Sequence, residues 1–428
     1  MKKSLTVMAV IVMLCSAKVF AGGFQINEHG ARAMSMAGAF TALANDPSAI
    51  YYNPAGLTQL TGTRFMAGVT LIAPSAKFTG PKPFSTKEYE MESQLFNPFN
   101  LYVTQQLSDE WFVGLGVNNQ YGLGTKWQDN WGGRYLAVDT EIRSFFFTPV
   151  VAYKFSEQFS ASVGLTYAYA DVKIIRNMPL ADPVTGAARP DGQVKMEGDG
   201  TAFGFTAGIL YKPTKELSLG LSYRSESKFD FEGDATTKPT TLDFVHPLAG
   251  KQSIPLPNGP IKAPLTTPQN ITLGVAYVAS DVLTLSADFQ YIGWSSYDKL
   301  EVTFEKYDLA PTVPGNQNVQ SADRNYKNTF ILRGGAEYTV SDVFTLRGGL
   351  LYDKNPVEDA YVEPTLPDAD RIGFNIGFGY KFTENLSVDV SYLLLTFAER
   401  EISNSKFGFN GTYQNMAHLF GLNFSYNL

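Results

Sequence analysis

The chain has 428 residues, a formal net charge of −7 and a single cysteine, with 31 Phe and 23 Tyr among its residues. An acidic chain without basic clusters is a poor nucleic-acid binder, a single cysteine excludes a disulfide framework and thiolate metal sites, and no apolar run reaches the ~18 residues that a membrane-spanning helix needs. Abundant aromatics with near-neutral mean hydropathy fit a transmembrane β-barrel instead, because only every second residue of each strand meets lipid.

At the start of the chain, Lys2 and Lys3 precede an apolar core from Leu5 to Ala17 and a small-residue cleavage site, Val19-Phe20-Ala21. The pattern predicts a secretory signal peptide over residues 1–21. Its removal takes away Lys2, Lys3 and Lys18, moving the formal charge from −7 to −10, and removes the only cysteine, Cys15. Leu14 stands before Cys15 where a lipoprotein signal requires a small residue, so lipidation is not expected.

Residues 22–62 are mostly small and show neither steady alternation nor a helical stripe. Such a segment has the volume and plasticity to fold inside whatever the later strands enclose, as a hatch; an ordinary N-terminal arm with a turn is the alternative. Its most constrained point is Tyr52-Asn53-Pro54-Ala55-Gly56, since Pro54 fixes its own φ and pushes Asn53 out of the helical region.

Residues 63–428 read as strands punctuated by one recurring signal: a hydroxyl, usually an acid, any residue, then a large apolar side chain. It occurs at Ser108-Asp109-Glu110-Trp111, Ser156-Glu157-Gln158-Phe159, Thr214-Lys215-Glu216-Leu217, Ser280-Asp281-Val282-Leu283, Ser341-Asp342-Val343-Phe344 and Thr383-Glu384-Asn385-Leu386. Each predicts a tight hairpin. Six such turns joining strands pairwise, with one strand left over at either end, predict an all-β fold: a 14-stranded antiparallel transmembrane β-barrel with an N-terminal hatch in its lumen. Both termini then lie on the short-turn, periplasmic side of an outer membrane. The opposite side carries the long connections, chiefly 177–196, 232–266 and 307–325, the second of which holds Pro239, Pro247, Pro255, Pro257, Pro260 and Pro264. In the last strand Phe420, Leu422, Phe424, Tyr426 and Leu428 share one face, and the turn-side aromatics fall on the apolar faces of their strands, as an interfacial girdle would. The third strand, from Trp111 toward Thr125, contains Gly114, Gly116, Gly122 and Gly124, and a glycine inside a strand marks a bulge or a close backbone approach.

With the hatch-like start, Gly23-Phe24-Gln25-Ile26-Asn27-Glu28, Asn53-Pro54-Ala55, Asn119-Gln120-Tyr121-Gly122-Leu123, Tyr223-Arg224-Ser225-Glu226 and Leu366-Pro367-Asp368-Ala369-Asp370-Arg371 in this order, the chain resembles the FadL family of outer-membrane transporters for long-chain fatty acids and other hydrophobic compounds. The resemblance covers nearly all of residues 22–428. It implies uptake of such compounds, with capture on the outer loops, binding in an inner pocket, movement of the hatch around Asn53, Pro54 and Ala55, and sideways exit where the third strand kinks at Gly122. By the same resemblance, Arg176 and Lys327 match the positions that hold the fatty acid carboxylate, and Asn53 joins them as a ligand-binding residue. Counting alternation from outward Phe159 and outward Tyr338 turns Arg176 and Lys327 inward; Arg333, Glu337, Arg347, Arg371 and Asp389 also count inward and are expected to be mostly ion-paired wall.

Other readings are an aromatic-hydrocarbon channel, a general porin and an outer-membrane lipase. The chain has three histidines, His29, His246 and His418, and no G-x-S-x-G accompanies any of them, so a non-enzymatic protein is expected. Neither a metal nor a cofactor is called for. The expected partners are a long-chain fatty acid or another hydrophobic small molecule, the lipid and lipopolysaccharide of the outer membrane, and phage or host surfaces at the exposed loops, with no nucleic acid and a monomeric barrel.

Overall fold

In four of the six turns the recurring signal works by double hydroxyl capture. Ser108 Oγ accepts the backbone N–H groups of Glu110 and Trp111 at 3.2 and 3.1 Å. Ser156 does the same for Gln158 and Phe159, Thr214 for Glu216 and Leu217, and Thr383 for Asn385 and Leu386. A side chain that satisfies two N–H groups at the point where the ladder ends lets the chain reverse without orphaned donors.

The computed structural model describes residues 23–428 apart from 82–84, 86, 310–314 and 316, so the signal-peptide expectation for residues 1–21 lies outside the described residues. The first half of the wall comprises β1 (Thr63–Thr79), β2 (Phe99–Gln106), β3 in two pieces (Trp111–Asn118 and Gly122–Lys126), β4 (Asp139–Lys154), β5 (Phe159–Met178), β6 (Gly192–Tyr211) and β7 (Leu217–Arg224, continued by Ser227–Lys238). The second half comprises β8 (Gly259–Thr267 and Asn270–Ser280), β9 (Leu283–Ile292), β10 (Thr329–Thr339), β11 (Phe344–Asp353), β12 (Arg371–Lys381), β13 (Leu386–Phe397) and β14 (Gly411–Asn427). Each is antiparallel to the next, and β14 closes on β1 in unbroken register from Arg64 opposite Asn427 to Thr79 opposite Thr412. Closure of β14 on β1 means that the 14-stranded sheet does not end in a free first or last strand.

Alternation sets the two faces. On β14, Phe420 and Phe424 are 53% and 50% exposed, while Leu419 and Asn423, each one residue before them, are 2% and 1% exposed. At the short-turn end Trp111, Phe155, Tyr211, Tyr277, Tyr338 and Phe382 all point outward. At the other end the outward positions of β4 and β5 turn to charge, with Arg143 2.8 Å from Asp171 and Lys173 3.0 Å from Asp139. An apolar band bounded by an aromatic belt and a charged belt has the form of a bilayer-spanning surface. Among the described residues no helix is long and apolar enough to cross a membrane.

Residues 23–60 fold back into the lumen through two short helices, α1 (Ala31–Ser35) and α2 (Ala49–Tyr52), and a 3-10 turn at Pro54–Gln59. Wall side chains hold this segment by its backbone. Asn423 Oδ1 accepts Ala31 N–H at 2.8 Å, Asn375 Nδ2 donates to Met34 O at 2.6 Å, and Asp288 accepts the N–H groups of Phe40 and Thr41. Two inward glycines make room for it: a Cβ at Gly220 would stand 2.3 Å from Thr41 O, and one at Gly335 2.6 Å from Met36 O.

Candidate functional site: a cavity that passes through the wall

β3 breaks at Asn119–Tyr121 because side chains take over its ladder. Asn119 Oδ1 accepts Phe99 N–H at 2.8 Å and its Nδ2 donates to Ser144 O at 2.7 Å, while Ser144 Oγ both accepts from Tyr121 N and donates to Tyr121 O. Beyond the break, Gly122–Lys126 pairs with β4, whereas β2 pairs with β3 only as far as Asn100 opposite Asn118. The strand-like N-terminal residues close the inner side of this gap: Ile26 N–H donates to Gln120 O at 2.9 Å and Gly122 N–H to Phe24 O at 3.0 Å. Gly122 is where they touch most closely, since a Cβ there would lie 2.8 Å from Ile26 Cδ1.

A cavity of about 620 Å³ reaches this gap. Ile142 and Ser144 of β4 face the lumen, Glu141, Arg143 and Phe145 face outward, and all five line the one cavity, together with Leu95, which is 65% exposed. The space therefore runs from the lumen through the wall. Its inner limb follows consecutive strands: Arg333 on β10, Leu351 on β11, Asn375 on β12, Leu393 on β13, Leu419 on β14 and Ile72 on β1, before Phe99 and Gly122. With strands about 4.8 Å apart, that arc measures on the order of 30 Å along the wall and less along its inside.

A second, smaller cavity of about 120 Å³ lies among the outer extensions of the strands, lined by Val172, Ile174, Met196, Phe231, Ile261 and Val302. Phe24 lines both spaces. It sits 6% exposed among aromatic rings, edge-on to Trp294 at 4.9 Å, Tyr297 at 5.7 Å and Tyr121 at 5.9 Å, and stands on the border between the two spaces with Glu141, Ile142 and Leu366.

The cations sort by their partners. Arg347 lies 2.6 Å from both Glu337 and Asp389, Arg32 lies 2.9 Å from Glu337, and Arg371 lies 2.8 Å from Asp353. Arg371 also lines the large cavity, beside Asp368. Asp368 accepts Gly23 N–H at 2.6 Å, and burial, opposed by nearby Arg371 and Arg400, lifts its carboxyl to about 7.

Arg176 faces inward, as its alternation count requires, and donates to Gln320 Oε1 at 2.9 Å; it lines neither cavity. Lys327 is placed differently. The count from Tyr338 stops at Thr329, where β10 begins, and Lys327 lies before it with its side chain 51% exposed, donating to Asn325 Oδ1 at 2.9 Å. Asn53 lines neither cavity: its Nδ2 donates to Thr41 O and Ile209 O, both at 2.9 Å, and its Oδ1 accepts Ala55 N–H as the cap of the 3-10 turn that starts at Pro54. Ser160 Oγ adds a bond to Ala55 O. Asn53-Pro54-Ala55 is thus the rivet between lumen segment and wall. Asn53→Ala would strand two carbonyls, each costing about 1–3 kcal/mol, and is expected to raise leak current in planar bilayers; an unchanged trace would count against the rivet.

Nothing in the sequence pattern singles out Arg324, which lines the smaller cavity and lies 2.7 Å from Glu363, and the landmark Gly23–Glu28 carries no sign that Phe24 lines both cavities. His418 lies on the outer wall within 2.8 Å of Tyr392 Oη.

The family model for outer membrane protein transport proteins (OMPP1/FadL/TodX) matches residues 12–428. A long-chain fatty acid transport protein of Escherichia coli O6:H1 is 27% identical, with 98% of this chain and 97% of that protein covered, and outer membrane protein P1 of Haemophilus influenzae is 24% identical, with 99% and 98% covered. Among solved structures, a Pseudomonas aeruginosa FadL homologue superposes with a TM-score of 0.79 at 22% identity, covering 95% of this chain and all of that one. The Pseudomonas putida toluene transporter TodX superposes at 0.74 with 17% identity, covering 95% and 99%. A closed barrel whose inner cavity opens through its own wall, matched over almost its whole length by this family, identifies the chain as a member of the OMPP1/FadL/TodX family of outer-membrane proteins that transport hydrophobic compounds.

Proposed function

We propose that this protein takes up long-chain fatty acids, and that they leave sideways into the membrane through the gap at Gly122 rather than down a water-filled pore. The supporting observation is the single cavity lined by both faces of β4. Its volume of about 620 Å³ and long arc suit an extended alkyl chain better than one aromatic ring. Burying a methylene is worth about 0.8 kcal/mol, so a C16 tail outweighs one charged hydrogen bond of about 1.5–3 kcal/mol. The tail sets affinity and the cation sets polarity.

In this reading the ligand is caught among the long outer loops, where inward Arg176 is bonded to neutral Gln320 and Lys327 sits 3.9 Å from Glu358, loosely enough to exchange partners. It enters the smaller cavity, passes Phe24 when the N-terminal residues shift, and occupies the arc. Asn53, Pro54 and Ala55 keep the rest of the hatch fixed to β5 and β6 while that happens. The lumen segment argues against an open porin, and the Tyr392 contact gives His418 a role in the outer wall instead of in hydrolysis.

Extracting lipid from the purified protein and identifying it by mass spectrometry tests the substrate class: long-chain fatty acids are expected, and a recovered monoaromatic with no acyl chains would favour the hydrocarbon reading. Acidity supplies a further test. Asp368 lines the arc and gains charge as pH rises through about 7, so an anionic ligand faces added repulsion above that point. Affinity for hexadecanoate is expected to fall from pH 6 to pH 8 while affinity for hexadecanol stays level, and Asp368→Asn should flatten the acid's profile. An acid profile equally steep in that variant would remove Asp368 as the cause.

A further inference from the structure

We infer that Arg333 holds the anionic head group of the ligand in the inner cavity, with the alkyl tail lying along β11 to β14 and β1 toward the gap. The assignment rests on the long-chain reading above and adds the residue and the ligand's direction. Arg333 is 8% exposed and lines the large cavity, yet among the described residues it has no hydrogen-bond partner and no carboxylate within 4 Å. Each neighbouring acid has its contact partner elsewhere, although Asp288 Oδ1 and Asp353 Oδ1 are left unbonded. Asp353 is held by Arg371, Glu337 by Arg32 and Arg347, Asp288 by the N–H groups of Phe40 and Thr41, and Glu28 by Asn27 N–H at 2.9 Å. A buried guanidinium without a contact counter-ion is costly, and an arriving carboxylate removes that cost while making paired N–H···O bonds.

The direction follows from what surrounds it. Polar lining is gathered near Arg333, with Asp353 on β11 and Arg371 and Asn375 on β12, and beyond it Leu393, Leu395, Leu419 and Ile72 carry an apolar lining toward Phe96 at the gap. The polar end lies over β10 to β12 and the opening is at β3, so an acid whose head group is at Arg333 points its methyl end outward and leaves tail first.

The test compares hexadecanoate with hexadecanol on the purified full-length barrel in detergent, by calorimetry, for the wild type, Arg333→Gln and Arg333→Lys. Arg333→Gln is expected to weaken hexadecanoate tenfold or more and hexadecanol less than threefold, and Arg333→Lys to recover most of the loss. Arg333 also touches the hatch at Gly38, so the alcohol serves as the measure of any packing damage. Unchanged hexadecanoate affinity in Arg333→Gln, or an equal loss for acid and alcohol, overturns the assignment while leaving the long-chain reading intact. A wild type that binds neither C16 compound overturns the long-chain reading, and this assignment falls with it.

Discussion

Gly122→Phe is expected to cut uptake of long-chain fatty acid at least tenfold in cells that depend on this protein, while hexadecanoate binding to the purified variant, which loses only the gap end of the cavity, falls by a smaller factor. The reason is local. At Gly122 even a Cβ would stand 2.8 Å from Ile26 Cδ1, so an aromatic ring must either displace the N-terminal strand-like residues or fill the opening in the wall. The apolar limb past Leu351, Leu393 and Leu419 lies strands away from that point and keeps its lining. Overpacking costs of about 1–3 kcal/mol are absorbed by a closed ladder, so the barrel should still assemble. Normal uptake in a folded Gly122→Phe protein would remove the lateral route.

Phe24→Ala carries the second large effect. The ring lines both cavities and rests on Trp294, Tyr297 and Tyr121, and truncating a buried phenylalanine costs about 3–5 kcal/mol. Here the loss falls on a terminal segment tied to the gap by two backbone bonds and to Asp368 by one, so it should loosen that segment without melting the wall. Ligand dissociation is expected to accelerate at least tenfold in stopped-flow displacement, with the thermal midpoint of the barrel little changed. A dissociation rate equal to that of the wild type would mean that Phe24 does not restrict passage between the two spaces.

The wall was legible because a strand between lipid and lumen offers only two environments, and alternation such as Phe420, Leu422 and Phe424 against Leu419, Gly421 and Asn423 records them directly. The hairpins were legible for a related reason: a Ser or Thr that caps two N–H groups leaves a fixed signature at Ser108, Ser156, Thr214 and Thr383. The site was less so. Alternation carried Arg176 correctly inward because β5 is unbroken from Phe159 to Met178, but it could not be extended to Lys327, which precedes β10 near Asn325 with its positive φ of 48°. The inward charges Arg347, Glu337 and Asp389 are ion-paired as expected of a lumen wall, whereas Arg333 is not, and no pattern in one strand tells which cation its neighbours leave unpaired. The passage through the wall was hidden as well, because it arises where Asn119 and Ser144 replace ladder bonds, a matter of two side chains meeting across β3 and β4.

On the proposed route a bound acyl chain extends from the lumen into the wall gap. Photolabelling with a C16 acid carrying a diazirine at its methyl end, followed by peptide mapping of the purified barrel, locates that end of the chain. Adducts at Leu95, Phe96 and the residues flanking Gly122 are predicted, and adducts confined to the turn-side end of the lumen, at Leu57 to Leu60, would contradict it.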